Sequence, residues 1–129
     1  MEEIKIFLAE GENHVRQAIH LGLDHQDSII VSGQARHAES LLAQIGQQAP
    51  NVLLLDWHLP GMNPQRMLPV IRRYCPDTKI IATVLQANSG KIALAYGIDA
   101  YLLKGLPPDE FVRSLKEHLE SLEGKRERS

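Results

Sequence analysis

Apolar runs of strand length recur along the chain at similar intervals: Ile4 to Ala9, Ser28 to Ser32, Val52 to Leu55, Lys79 to Val84 and Ala100 to Leu103. Five β-strands are predicted. Three of the runs, Ile4-Lys5-Ile6-Phe7-Leu8, Val52-Leu53-Leu54-Leu55 and Tyr101-Leu102-Leu103, are nearly continuous in apolar residues. Strands covered on both faces by helices have this pattern, which implies a parallel sheet.

Between the strands the period lengthens to that of a helix. Ala38, Leu41, Leu42 and Ile45 fall at i, i+3, i+4 and i+7 and define one apolar stripe of about three turns. Val15, Ala18 and Ile19 repeat the pattern after the first strand. Phe111, Val112, Leu115, Leu119 and Leu122 mark a last helix with Pro107 and Pro108 near its start. The third helix carries Pro64, which suits a first turn, and Pro69, which removes a hydrogen bond, so a late start or a kink is expected. The fourth is read as short, Lys91 to Tyr96, closed by Gly97. Strand and helix alternate five times, predicting a doubly wound five-stranded parallel sheet, a (βα)5 flavodoxin-like α/β sandwich. Residues 1–122 form this domain, and 123–129 read as a polar tail or linker.

Composition agrees with one ordinary globular domain. The 129 residues are 43% hydrophobic and 23% charged, and 14 Lys and Arg oppose 16 Asp and Glu for a net charge of -2. There is no broad basic field for nucleic acid or an anionic membrane. The single cysteine, Cys75, cannot form an internal disulfide, and no apolar stretch approaches the roughly 18 residues of a membrane span. A soluble protein of the reducing cytoplasm is expected.

In a doubly wound sheet, ligand chemistry belongs at the carboxyl ends of the strands. There the chain places Glu10-Gly11-Glu12, Asp56, Thr83 and Lys104. Carboxylates beside a lysine can hold a hard divalent cation and neutralise a phosphoryl group. Asp56 would be the nucleophile or central ligand, with Glu10 and Glu12 as further metal ligands. The plainer alternative makes Glu10 and Glu12 acids at a helix N-terminus and Asp56 a turn cap. The six histidines show no metal-ligand spacing, so no zinc site is predicted. His58 lies near the mouth of the pocket, Trp57 reads as packing, and Cys75 as an inert thiol.

The stretch Val52-Leu53-Leu54-Leu55-Asp56-Trp57-His58-Leu59-Pro60-Gly61-Met62 resembles the phosphoacceptor segment of response-regulator receiver domains, and Ala100-Tyr101-Leu102-Leu103-Lys104 resembles their fifth strand. The resemblance extends over residues 4 to 122. It implies phosphoryl transfer from a histidine kinase or phosphotransfer protein onto Asp56 with magnesium as cofactor. Lys104 would pair the phosphoryl oxygens and Tyr101 would be the aromatic switch residue. Tyr-Leu-Leu-Lys-Gly and the Pro-Pro-Asp-Glu-Phe helix start look most like receivers that precede a LuxR-type helix-turn-helix DNA-binding domain, which would need roughly sixty further residues. A homodimer through the fourth helix, fifth strand and last helix is also implied, with Arg113, Lys116, Glu117 and Glu120 as its polar decoration.

Two departures shape the functional expectation. Counting forward from Pro76 puts Val84 at the switch Ser/Thr position, counting back from Lys104 puts Ala82 there, and Thr83 lies between. Gly11 occupies the place where receivers carry a metal-binding acid, which lowers the charge that attracts magnesium. The leading reading is therefore a phosphorylated signalling receiver, not an enzyme, with an atypical metal site. The alternative is a degenerate receiver acting as a phosphorylation-independent interaction or dimerisation module. An aspartyl-phosphate phosphatase would want a second Asp where His58 stands. A flavin-binding flavodoxin would want a hydroxyl-rich loop where Glu10-Gly11-Glu12-Asn13 stands.

Overall fold

The computed structural model describes residues 3–128, with side chains through residue 123. Strands β1 (Ile4–Ala9), β2 (Ile29–Ala35), β3 (Val52–Asp56), β4 (Lys79–Val84) and β5 (Ala100–Leu103) alternate with helices α1 (Asn13–Asp24), α2 (Ala38–Gln48), α3 (Pro64–Tyr74), α4 (Ala87–Ala95) and α5 (Pro108–Arg128). The strands form one parallel sheet in the order β2-β1-β3-β4-β5. This is the doubly wound α/β arrangement that the alternation of periods predicts.

Side-chain alternation divides the interior into two layers. Phe7, Leu53, Leu55, Ile80, Ala82 and Val84 face α2, α3 and α4, where Leu41, Ile45, Met67, Ile71 and Ala93 meet them. Ile6, Leu8, Val52, Leu54, Ile81 and Leu102 face α1 and α5 and pack on Ile19, Leu23, Phe111 and Leu115. The central strands are buried on both faces over most of their length, which is why their sequences are nearly continuous in apolar residues.

Element bounds differ from the sequence reading where apolar content is a poor guide. β2 runs on to Ala35 instead of stopping at Ser32: its register shifts opposite Ile6 and Phe7, and pairing resumes at Gly33. α3 begins at Pro64 with no late start, because the Asn63 side chain accepts the Gln65 N–H and caps it. Pro69 sits inside that helix on its exposed side, where the carbonyl left without a donor can be hydrated. α4 starts at Ala87, one turn before Lys91, and its end is set by Tyr96 and by Gly97 at φ 102°. The polar segment after Leu122 continues α5 to Arg128, and Ser129 lies outside the described residues. Among the described residues no helix is long and apolar enough to cross a membrane.

Candidate functional site

Alternation along the strands brings four polar side chains to one end of the sheet. Glu10 follows Leu8 by two, Asp56 follows Leu54, Thr83 follows Ile81 and Lys104 follows Leu102, so all four share the α1–α5 face. Asp56 is the register partner of Thr83 in the β3–β4 ladder, and the Trp57 N–H donates to the Thr83 carbonyl at 3.0 Å. Thr83 thus shares the sheet face of Asp56, whereas Ala82 and Val84 belong to the opposite core layer.

Lys104 organises the cluster. Its Nζ lies 2.7 Å from Asp56 Oδ1, 3.0 Å from Glu10 Oε1 and 3.3 Å from Glu10 Oε2. The Lys104 backbone N–H donates to the Val84 carbonyl at 2.7 Å, and Gly105 turns the chain away at φ 88°. Asp56 is further held by main-chain donors, the His58 N–H on Oδ1 at 2.9 Å and the Gly11 N–H on Oδ2 at 3.2 Å. The Glu12 N–H donates to Glu10 Oε2 at 3.0 Å. Glu10 Oε1 is left without a hydrogen bond: Lys104 is near enough to attract it but poorly aligned to donate.

Burial sets the two acids apart. Burial pushes the Asp56 carboxyl up, but the Lys104 and His58 hydrogen bonds and the Lys104 charge outweigh it and hold the group below the usual range. At Glu10 burial prevails over the Glu12 N–H and Lys104, and the carboxyl is raised. Burial lowers the Lys104 ammonium, but its bonds to Asp56 and Glu10 more than offset this, and it is raised overall.

The sequence expectations fare unequally. Glu10, Asp56, Thr83 and Lys104 converge. Glu12, expected to reach back to a metal, is instead exposed at the N-cap of α1 and enters the site only through its backbone. Among the described residues no group of three His, Cys, Asp or Glu side chains is placed to hold a metal ion. Gly11 leaves little room where a further acid was looked for: a Cβ there would meet Pro60 Cδ at 2.8 Å and Asp56 Oδ2 at 3.5 Å. His58 is exposed, and Trp57 packs in the core with its ring 6.3 Å from that of Tyr96. Cys75 is buried, which pushes its thiol up, and its Sγ–H donates to the Ile45 carbonyl. Tyr101 lies half-buried on the other sheet face, against α4. Arg113 and Lys116 line the groove between α1 and α5. Sequence reasoning missed the two main-chain donors on Asp56 and the fit of Tyr101 against Gly90, which depend on backbone path.

The family model described as the response regulator receiver domain matches residues 6–116. Sensory transduction protein LytT of Oceanobacillus iheyensis is 32% identical over 111 residues, covering 84% of this chain and 45% of that protein. Nitrate/nitrite response regulator protein NarL of Escherichia coli is 26% identical over 116 residues, covering 88% and 54%. The chain spans about half the length of the curated relatives it matches. The receiver domain of AraT, a response regulator from Geobacillus stearothermophilus, superposes with a TM-score of 0.79 at 23% identity over 95% of this chain and 98% of that one. A LuxR-family DNA-binding response regulator from Staphylococcus aureus gives 0.76 at 24% identity over 89% and 98%. At those identities the structures speak for the fold alone. With the family match spanning most of the chain and the lysine-bridged acids at the strand ends, the chain belongs to the response-regulator receiver domains of two-component systems.

Proposed function

We propose that this receiver accepts a phosphoryl group on Asp56 from a histidine kinase or phosphotransfer protein. The observation that carries the reading is the short contact between Lys104 Nζ and Asp56 Oδ1, 2.7 Å, at a buried strand end. Lys104 and the main-chain donors keep the Asp56 carboxylate ionised, as a nucleophile must be. One of its oxygens attacks the phosphorus of a phosphohistidine. The phosphorus–nitrogen bond breaks, its electron pair stays on the imidazole, which takes up a proton, and a mixed acyl-phosphate anhydride remains on Asp56. Lys104, already within reach, pairs the added charge, and Thr83 offers a hydroxyl from the same sheet face.

Glu10 and Asp56 suit magnesium: both offer oxygen, and Glu10 Oε1 is a buried acceptor with no hydrogen-bond donor. These two side chains would hold the ion, whose chemistry is neutralisation of phosphoryl charge. We place the output surface on α4 and β5, where Ile92, Leu94 and, at the helix end, Tyr96 are exposed apolar side chains. A DNA-binding segment outside this sequence fits the kind of relatives it has.

The second reading, a phosphorylation-independent interaction module, draws on Gly11 and on Asp56 already receiving three hydrogen bonds. Trp57 separates the two, since it adjoins Asp56 in the chain and contacts Tyr96 of the α4 end. Acetyl phosphate with magnesium should change Trp57 emission in the natural protein and leave Asp56→Asn unchanged. Identical traces would favour the interaction module.

A further inference from the structure

A polar cavity open to the surface lies beside the acidic site, on the β2 side of the sheet. It measures about 220 Å³ and is lined by Arg16, Gln34, Ala35, Arg36 and Ser40. The character of this lining is cationic, opposite to that of the neighbouring acids. Arg16 is aimed by the Glu10 carbonyl, to which its Nη1 donates at 2.9 Å, and by Asn13 Oδ1. Both partners are neutral, so its charge is not cancelled, and part of its five-donor fork stays available. Arg36 makes no ion pair either, and among the described residues no carboxylate lies within ion-pair distance of either guanidinium, although Glu12 and Glu39 stand on the adjoining turns. The Ser40 hydroxyl accepts from Gln44 Nε2 at 2.9 Å, which leaves its proton free to donate. Gln34 Nε2 is engaged with His20 Nδ1 at 2.9 Å, so the amide is fixed in place.

Arg16, the exposed Arg36 and Ser40 line one small cavity, and two guanidinium groups with a hydroxyl form a donor set suited to a tetrahedral dianion. Guanidinium forks match phosphate oxygens geometrically and make charge-assisted hydrogen bonds. We propose that this cavity is a phosphate-binding site separate from Asp56, taking free phosphate or the terminal phosphate of a small organic ester. The occupant would tie the start of α1 to the β2–α2 turn. Through the Arg16 bond to the Glu10 carbonyl, it would stiffen the strand end that carries Glu10.

The test is a titration of nitrogen-15-labelled protein with inorganic phosphate and, separately, glycerol phosphate, with acetate at matched ionic strength as control. The readouts are the Ala35 and Ser40 amides and the arginine Nε–H signals. Saturable shifts are expected with both phosphates and not with acetate. Arg36→Gln should weaken binding by about tenfold or more, as loss of a charge-assisted bond implies, and Ser40→Ala by less. The Asp56 and His58 amides, at the acidic cluster, should move less than those of Ala35 and Ser40. Tighter binding of the ester assigns small organic phosphates as the occupant, and equal binding assigns free phosphate. Non-saturating shifts, undiminished binding by Arg36→Gln, or shifts centred on the Asp56 and His58 amides would each overturn the site, the last by placing the anion at the acidic cluster.

Discussion

The ring of Tyr101 rests directly on the backbone of Gly90: a Cβ at that glycine would come within 2.3 Å of Cδ1, 2.4 Å of Cγ and 2.5 Å of Cε1. Only a residue without a side chain lets β5 and α4 meet in this way, so the position of the Tyr101 ring and that of α4 are coupled. Gly90→Ala should gain the small helix-propensity benefit of alanine but lose more to overpacking, a net cost of roughly 1 to 2 kcal/mol. Near-ultraviolet circular dichroism should report a displaced tyrosine. Gly46→Ala is the control, because its nearest neighbour would be Tyr74 Cβ at 3.7 Å. It should stabilise by about 0.5 to 1 kcal/mol. Urea midpoints of the two variants moving in the same direction would refute the Tyr101 contact.

The opposite shifts of the two acids predict opposite effects of neutralising them. Glu10 is raised, so the folded state holds its proton more tightly than the unfolded chain. Its contribution to stability falls as pH rises from the unfolded value, about 4.3, through the folded one. Glu10→Gln should therefore gain on the natural protein as the buffer moves from acid to neutral. Asp56 is lowered, so its contribution is present above the unfolded value, about 3.9, and is lost as pH falls through the folded one. Asp56→Asn should accordingly be less stable at neutral pH, with the difference vanishing in acid. Urea unfolding across that window checks both signs.

Removing Lys104 leaves two nearly buried carboxylates facing each other. The lysine side chain is 11% exposed, and those of Glu10 and Asp56 are 1% and 5%. Lys104→Met should destabilise by about 3 to 5 kcal/mol at neutral pH, the usual cost of stranding buried charge. Magnesium should restore part of the loss, because a divalent cation can replace the ammonium between the same oxygens. A thermal midpoint of Lys104→Met that is indifferent to magnesium would argue against Glu10 and Asp56 as joint ligands.

Gly11→Asp restores an acid but must move Pro60, whose Cδ would lie 2.8 Å from the new Cβ. It should cost about 1 to 3 kcal/mol in stability through that overlap. Even so, it should bind magnesium about tenfold more tightly through the added charge. Pro60→Ala in the same chain should recover stability without losing affinity. Fluorescence titration of Trp57 measures the affinity and urea unfolding the stability. Unchanged magnesium affinity would mean that the natural site already has a full complement of ligands.

Much of this was legible from residue pattern because burial on two faces leaves a strong mark. The nearly continuous runs of β1, β3 and β5 and the i, i+3, i+4, i+7 stripe of α2 are direct traces of what they pack against. Asp56 and Lys104 were legible for the same reason, as the first charges beyond apolar runs. The full length of β2 is not legible because an edge strand keeps a solvent-facing side and Gly33-Gln34 interrupts its apolar run. The first turn of α4 was missed because Ala87-Asn88-Ser89 carries no stripe. Proximity in sequence suggests Glu12 for the site, but it stands at the N-cap of α1 with its side chain exposed. Counting leaves Thr83 ambiguous between neighbours, and only the strand register shows that it pairs with Asp56.

The central claim, that Asp56 is a phosphoacceptor despite Gly11, is tested most directly by the intact mass of the protein after incubation with acetyl phosphate and magnesium. The natural chain should gain the mass of one phosphoryl group, Asp56→Asn should gain none, and chelation of the magnesium should suppress the gain. No increase in the natural protein, or an increase that survives Asp56→Asn, would contradict the claim.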